Sequence, residues 1–258
     1  MRNIVRSKMR YRYRDLYIVR SFALLALLLI LPGQSNGQGM QGMQGETFTY
    51  TAFDQLEYTR ADAENVLRWE LTGWSGGDYN RLWVKSEGDI GIANQNGEGE
   101  VQVLYSRLVA SFWEAQIGLR FDALRAGDKT DGRALLVVGL DGLAPYWFEV
   151  EPALFISHKG DLSARLSAVY DLRVTQRLIA QPRIELNAAV QRVPEFAIAE
   201  GVNDLQLDLR LQYEFKREFA PYVGVSWVRK IGDAADLARR NGEDASAEVL
   251  VAGVRLWR

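Results

Sequence analysis

From residue 46 onward, apolar side chains recur at every second position. The clearest run is 203–215, where Leu205, Leu207, Leu209, Leu211, Tyr213 and Phe215 alternate with Asp204, Gln206, Asp208, Arg210, Gln212 and Glu214. On a helix, residues two apart stand about 200° apart and would scatter; on a strand they form one apolar face. The same alternation runs through 112–122, 146–156, 162–171 and 176–190, with turn clusters rich in Gly, Asn, Asp and Ser between the runs. The pattern predicts twelve strands, near 48–59, 66–74, 81–91, 100–108, 112–122, 133–141, 146–157, 162–171, 176–190, 203–215, 219–230 and 246–257. Twelve strands leave about 17 residues for each strand and its connection, the spacing of a bacterial outer-membrane barrel. Ten strands is the alternative, because the first two runs are weak. Residues 231–245, rich in Ala and charge, predict a loop with a short helical turn.

Alternation alone does not separate inside from outside. A soluble lipocalin-like barrel shows the same period with its apolar face turned inward. Three features favour a membrane. The polar faces carry dense charge of both signs, as a wet lumen would. The seven Trp (Trp69, Trp74, Trp83, Trp113, Trp147, Trp227 and Trp257) lie near run ends, where an interfacial girdle is expected. The last run, 249–257, supplies a closing strand. The expected fold class is all-β: an antiparallel transmembrane β-barrel of about 12 strands over residues 47–258.

The first 37 residues read differently. Basic residues up to Arg20 precede the ten apolar residues Phe22 to Leu31, and then Pro32, Gly33, Ser35 and Gly37. That is the order of a secretory signal peptide over 1–37, with an uncleaved leader or anchor as the alternative. Ten apolar residues are too few to span a bilayer as a helix, which needs about 20. Of 31 Lys and Arg, seven lie in the first 20 residues, against one of 33 acids, Asp15. The remainder therefore holds 24 basic and 32 acidic side chains, an anionic balance that argues against nucleic acid. Cys is absent and His158 is the lone histidine, which excludes disulfides, thiolate sites and multi-histidine metal centres within one chain. No glycine pattern of a phosphate-binding loop opens a helix.

Several of these runs resemble the copper resistance protein B family. They are DQLEY (54–58), GWSGGDYNRLWVKSEG (73–88), LYSR (104–107), GLAPYWFEVE (142–151), YDLRVTQRLIAQPRIELN (170–187), REFAPYVGVSW (217–227) and GVRLW (253–257). The resemblance implies an outer-membrane barrel linked to copper tolerance and working beside periplasmic copper proteins, a multicopper-oxidase-type partner among them. Many relatives carry a long Met- and His-rich segment before the barrel; here it shrinks to MQGMQG at 40–45, within a tether over 38–46. The terminal aromatic common in such barrels is here penultimate, at Trp257.

With copper ions, Cu(I) or Cu(II), as the implied cargo, three sets of residues are candidates. Met40 and Met43 offer two thioethers, soft donors suited to Cu(I), although two alone make half a site; a plain linker is the competing reading. The lumenal carboxylates suit Cu(II) weakly. On these strand phases Glu57, Glu87, Asp89, Glu114, Asp122, Glu149, Glu151, Glu185 and Asp208 face inward beside Lys85, Arg120, Arg165, Arg177, Arg183 and Arg210. Glu149 and Glu151, two apart on one face, are the pair of most interest. The competing reading is a set of ion pairs crossing and barring the lumen. His158 ends a strand; imidazole suits copper, whereas a solvated turn histidine is the plainer reading.

The functional expectation is a non-enzymatic copper-handling barrel in contact with outer-membrane lipid. An outer-membrane lipid hydrolase is the alternative, and it requires His158 as base with Ser157, Ser163 or Ser226 as nucleophile. A structural barrel linked to copper tolerance only indirectly is the third reading.

Overall fold

The computed structural model describes residues 47–61, 64–240, 242 and 244–258. The residues read as a signal peptide (1–37) and tether (38–46), with Met40 and Met43, lie outside the described residues. The chain forms β1 (Phe48–Ala61), β2 (Glu64–Gly76), β3 (Asn80–Gly91), β4 (Gly97–Ala110), β5 (Trp113–Ala126), β6 (Lys129–Ala144), β7 (Phe148–Ser157) and β8 (Leu162–Val169, resuming at Leu172–Arg173). It continues with β9 (Leu178–Ala189), β10 (Gly201–Tyr213), β11 (Phe219–Lys230), helix α1 (Gly232–Arg240) and β12 (Ser246–Trp257). Each strand pairs antiparallel with its neighbours in sequence. β12 returns to β1 in a register running from Thr59 opposite Val251 to Ala52 opposite Trp257. Thr51 and Arg258 exchange backbone hydrogen bonds of 3.0 and 2.9 Å beyond that pair, so the ring closes without a free edge. The barrel has twelve strands, and both weak runs at its start are among them.

The faces settle the direction of the alternation. In β10, Leu207, Leu209, Leu211 and Tyr213 are exposed on the outer wall, whereas Asp208, Arg210 and Gln212 are 5%, 1% and 1% accessible. An apolar exterior around a polar interior is the membrane arrangement, and the lipocalin-like reading falls.

The Trp residues divide by strand phase. Trp74 and Trp83 share the phase of Lys85 and line the lumen, and Trp257 shares that of Arg255, whose guanidinium lies 5.3 Å from its ring. The expected tryptophan girdle is therefore corrected in part. Near the end where β1 begins and β12 finishes, four turns carry the exposed aromatics Tyr79, Phe112, Tyr146, Trp147 and Phe215, beside exposed strand-end aromatics such as Phe48 and Phe148. Trp69 lies on the outer phase, laid flat across β3 and β4. A Cβ at Gly88 would stand 2.6 Å from its ring, so glycine is what permits the close approach.

Connections at this terminal end are short, at 77–79, 111–112, 145–147, 174–177 and 214–218. The far end carries the longer ones, 190–200 and 231–245. The second contains the expected helical turn as α1, which presents buried Ala234, Ala235 and Ala238. One lumenal assignment fails: Arg177 is exposed in the turn before β9, because the hairpin turns there and β9 starts one residue later.

A lumenal site between two cavities

The lumen is filled on one side by apolar side chains. Leu104, Leu135, Val137 and Phe155 form a buried cluster with Trp83 and Ala153 packed against it. Charged groups span the rest. Arg210 donates to Glu57 (2.7 Å), Asp208 (3.1 Å) and Gln55 (3.0 Å), with Arg210 and Glu57 each 1% accessible. Arg183 donates to Glu70 across the barrel (2.5 Å) and to Glu185 beside it (2.9 Å). Arg165 reaches Glu87 and Glu100 from the opposite wall, the second at 3.0 Å. Arg120 pairs with Glu100 and Asp122, each at 2.5 Å, and Asp122 also accepts from Arg133 at 2.7 Å. Carboxylates fixed by guanidinium forks hold the wall strands at set distances, and each group compensates a partner that would otherwise be a buried charge.

Two cavities flank this layer. The one toward the terminal end has a volume of about 400 Å³ and is lined by Tyr50, Trp74, Trp83, Asp141, Glu149 and Glu151, among others. The one toward the far end has a volume of about 450 Å³ and includes Asp89, Glu98, Arg133 and Phe196 in its wall. There the loop 190–200 folds in, and the Arg133 guanidinium sits 4.3 Å from the Phe196 ring centre. Lys159 pairs with Glu195 (3.6 Å) and Arg192 with Asp233 of α1 (3.2 Å), tying that loop to its neighbours.

The candidate residues separate accordingly. Glu149 and Glu151 share the lumenal face of β7 and one cavity. Glu151 accepts from Lys85 Nζ at 2.5 Å, and the same ammonium lies 3.4 Å from Asp141. Glu149 has no ion-pair partner among the described residues. His158 stands at the other end of β7, in the 158–161 turn, with its Nδ1 3.3 Å from the Ala134 carbonyl. The structure therefore does not join it to the glutamate pair. Among the described residues no three His, Asp or Glu side chains converge as a metal cage. The strand phases missed Glu70, Glu98, Glu100 and Asp141, because Glu70 lies in a weak run and Glu98 and Glu100 alternate with glycine rather than with large apolar residues.

A closed twelve-strand barrel with an apolar exterior and an ion-paired lumen defines the class: an outer-membrane-type β-barrel. The NanC porin shares this fold, with a TM-score of 0.53 at 14% identity over 82% of this chain and all of that one. The chain belongs to the copper resistance protein B family: the family model described as "Copper resistance protein B precursor (CopB)" matches residues 47–258. It is 41% identical to copper resistance protein B of Escherichia coli, over 79% of this chain and 67% of that protein. It is 40% identical to the copper resistance protein B homolog of Pseudomonas syringae pv. tomato (strain ATCC BAA-871 / DC3000), over 81% and 69% respectively. Membership supports a role in copper resistance.

Proposed function

We propose that this protein handles copper at the outer membrane without covalent chemistry, binding copper ions at the terminal-end mouth and passing them through the lumen. The observation that carries the reading is the terminal-end cavity, where Asp141, Glu149 and Glu151 face one space in a barrel of a copper-resistance family. Carboxylates on one wall concentrate cations and offer hard donors to Cu(II), while Met40 and Met43 offer soft donors to Cu(I). Uniformly short turns at the terminal end support a periplasmic mouth. The mouth then opens toward the compartment where a multicopper-oxidase-type protein would exchange copper with it. Residues 1–37 are the export signal in this reading.

The hydrolase alternative has less support. Ser157 Oγ donates to Asp161 at 2.8 Å, Ser226 is buried within the barrel, and His158 Nδ1 lies against the Ala134 carbonyl of β6. Copper flux into liposomes carrying the purified barrel, with Cu(I) and Cu(II) tested separately, decides the matter. Flux that falls in Glu149→Gln/Glu151→Gln supports the lumenal path and names the oxidation state. No flux above empty liposomes, together with binding lost in Met40→Leu/Met43→Leu, would replace passage by sequestration. His158→Ala should leave copper handling intact.

A further inference from the structure

The two cavities share part of their lining: Gln55, Glu70, Glu87, Glu100, Phe155, Arg165 and Arg183 border both. Residues that line two cavities at once form the partition between them. We infer that Arg165 and Arg183, clamped by carboxylates of the opposite wall, are the gate of the lumen and close it to hydrated ions at its waist.

Three observations converge on these arginines. Both bridge the barrel rather than pairing only along it: β8 and β9 lie across the twelve-strand ring from β2, β3 and β4, which supply Glu70, Glu87 and Glu100. Both are also anchored on their own side by Glu185, at 3.6 Å from Arg165 and 2.9 Å from Arg183, so one carboxylate couples the two bridges. The remaining cross-section is occupied by Phe155, whose ring lies 5.8 Å from the Arg165 guanidinium and 4.5 Å from that of Arg120, and by the apolar cluster behind it. A hydrated ion meets hydrocarbon and a layer of charges in which Arg165, Arg183 and their carboxylates already hold ion-pair partners. Opening the path requires the guanidinium forks to leave their carboxylates, and charges left unpaired inside the barrel oppose that.

The gate also bears on selectivity. An arginine released from its carboxylates places positive charge at the narrowest point and repels cations; one that stays paired keeps those carboxylates occupied. Passage of a copper ion therefore needs carboxylates such as Glu87 and Glu100 to exchange an arginine for the metal. Sodium or potassium, bound more weakly by carboxylates, would not drive that exchange. The closure itself stands on the lumen's geometry, whatever the cargo.

Because the chain has no cysteine, single thiols report each side of the gate. Ser163 borders the far cavity and Ser167 the terminal-end cavity, two residues either side of Arg165 on β8. The experiment places Ser163→Cys and Ser167→Cys, one at a time, in proteoliposomes exposed to a membrane-impermeant charged methanethiosulfonate added outside. With the gate closed, each molecule shows one of the two positions to the reagent, so the labelled fractions at the two positions add up to one whatever the orientation. Complete labelling of both in the otherwise native barrel overturns the proposal. The pair deletion Glu70→Ala/Arg183→Ala removes a bridge with its counter-charge, and labelling at both positions should then rise to completion and potassium chloride conductance appear. Fractions still complementary in that variant, with the heat-modifiable gel mobility of a folded barrel, would take the gate away from Arg183. Neither readout contains copper, so failure of the gate and failure of the copper reading are told apart.

Discussion

The two ends of the lumen are built from the same residue types and differ in how those residues are used. At the far end charge is roofed over: Arg120 and Arg133 share Asp122 and the loop 190–200 covers them with Phe196, while Glu98 in the same cavity wall has no ion-pair partner among the described residues. At the terminal end charge is left over, since Lys85 serves both Asp141 and Glu151 while Glu149 has no ion-pair partner among the described residues. Between them Arg165 and Arg183 cross the barrel to carboxylates of the opposite wall. Identical chemistry thus gives a roof, a septum and an acidic mouth according to how many partners lie within reach.

Substitutions that separate these regions test the comparison. The largest effect belongs to the most deeply buried ion pair. Arg210→Ala leaves Glu57 and Asp208 without their cation and should cost about 3–5 kcal/mol in denaturant unfolding of the detergent-solubilised barrel. Next comes the mouth: Glu149→Gln/Glu151→Gln should lower copper flux about tenfold, the effect expected of a one-sign cleft, while Glu98→Gln at the far end leaves it nearly unchanged. An equal effect of Glu98→Gln would erase the difference between the ends. The roof is weaker. Phe196→Ala removes one ring from Arg133, should cost about 0.5–1 kcal/mol, and should speed proteolysis within 190–200. Smallest is the rim pair. Arg255 reaches Asp54 at 3.1 Å in partly open surroundings, and Arg255→Ala should change stability by no more than about 1 kcal/mol, with salt weakening the effect.

Much of the barrel was legible from the period of two. It located all twelve strands, since one face of each must be apolar whichever way it points. It failed where that rule has exceptions. The continuous apolar stretch Leu135–Leu136–Val137–Val138 hid a lumenal apolar cluster, because Leu135 and Val137 face inward while Leu136 and Val138 face out. The tryptophans misled for a related reason. An indole suits a membrane interface, but it also suits a lumen where Ser106 accepts from Trp83 at 2.9 Å and Lys85 lies 5.2 Å from the same ring. Arg177 was placed inward by parity alone, and parity ends where the chain turns. Within the candidate site, Glu149 and Glu151 were found as a pair, whereas Lys85 and Asp141, which set their surroundings, sit on other strands.

The sequence by itself determined the strand runs and which residues share a face, since these follow from the local geometry of a pleated chain, while closure of the ring decided for twelve strands over ten. Tertiary structure decided which face is inside and which charges meet. Arg183 and Glu70 are 113 positions apart, and their bridge exists only because closure of β12 on β1 fixes the register of every strand between them. That register is a property of the ring as a whole, and so are the septum and the acidic mouth that it creates.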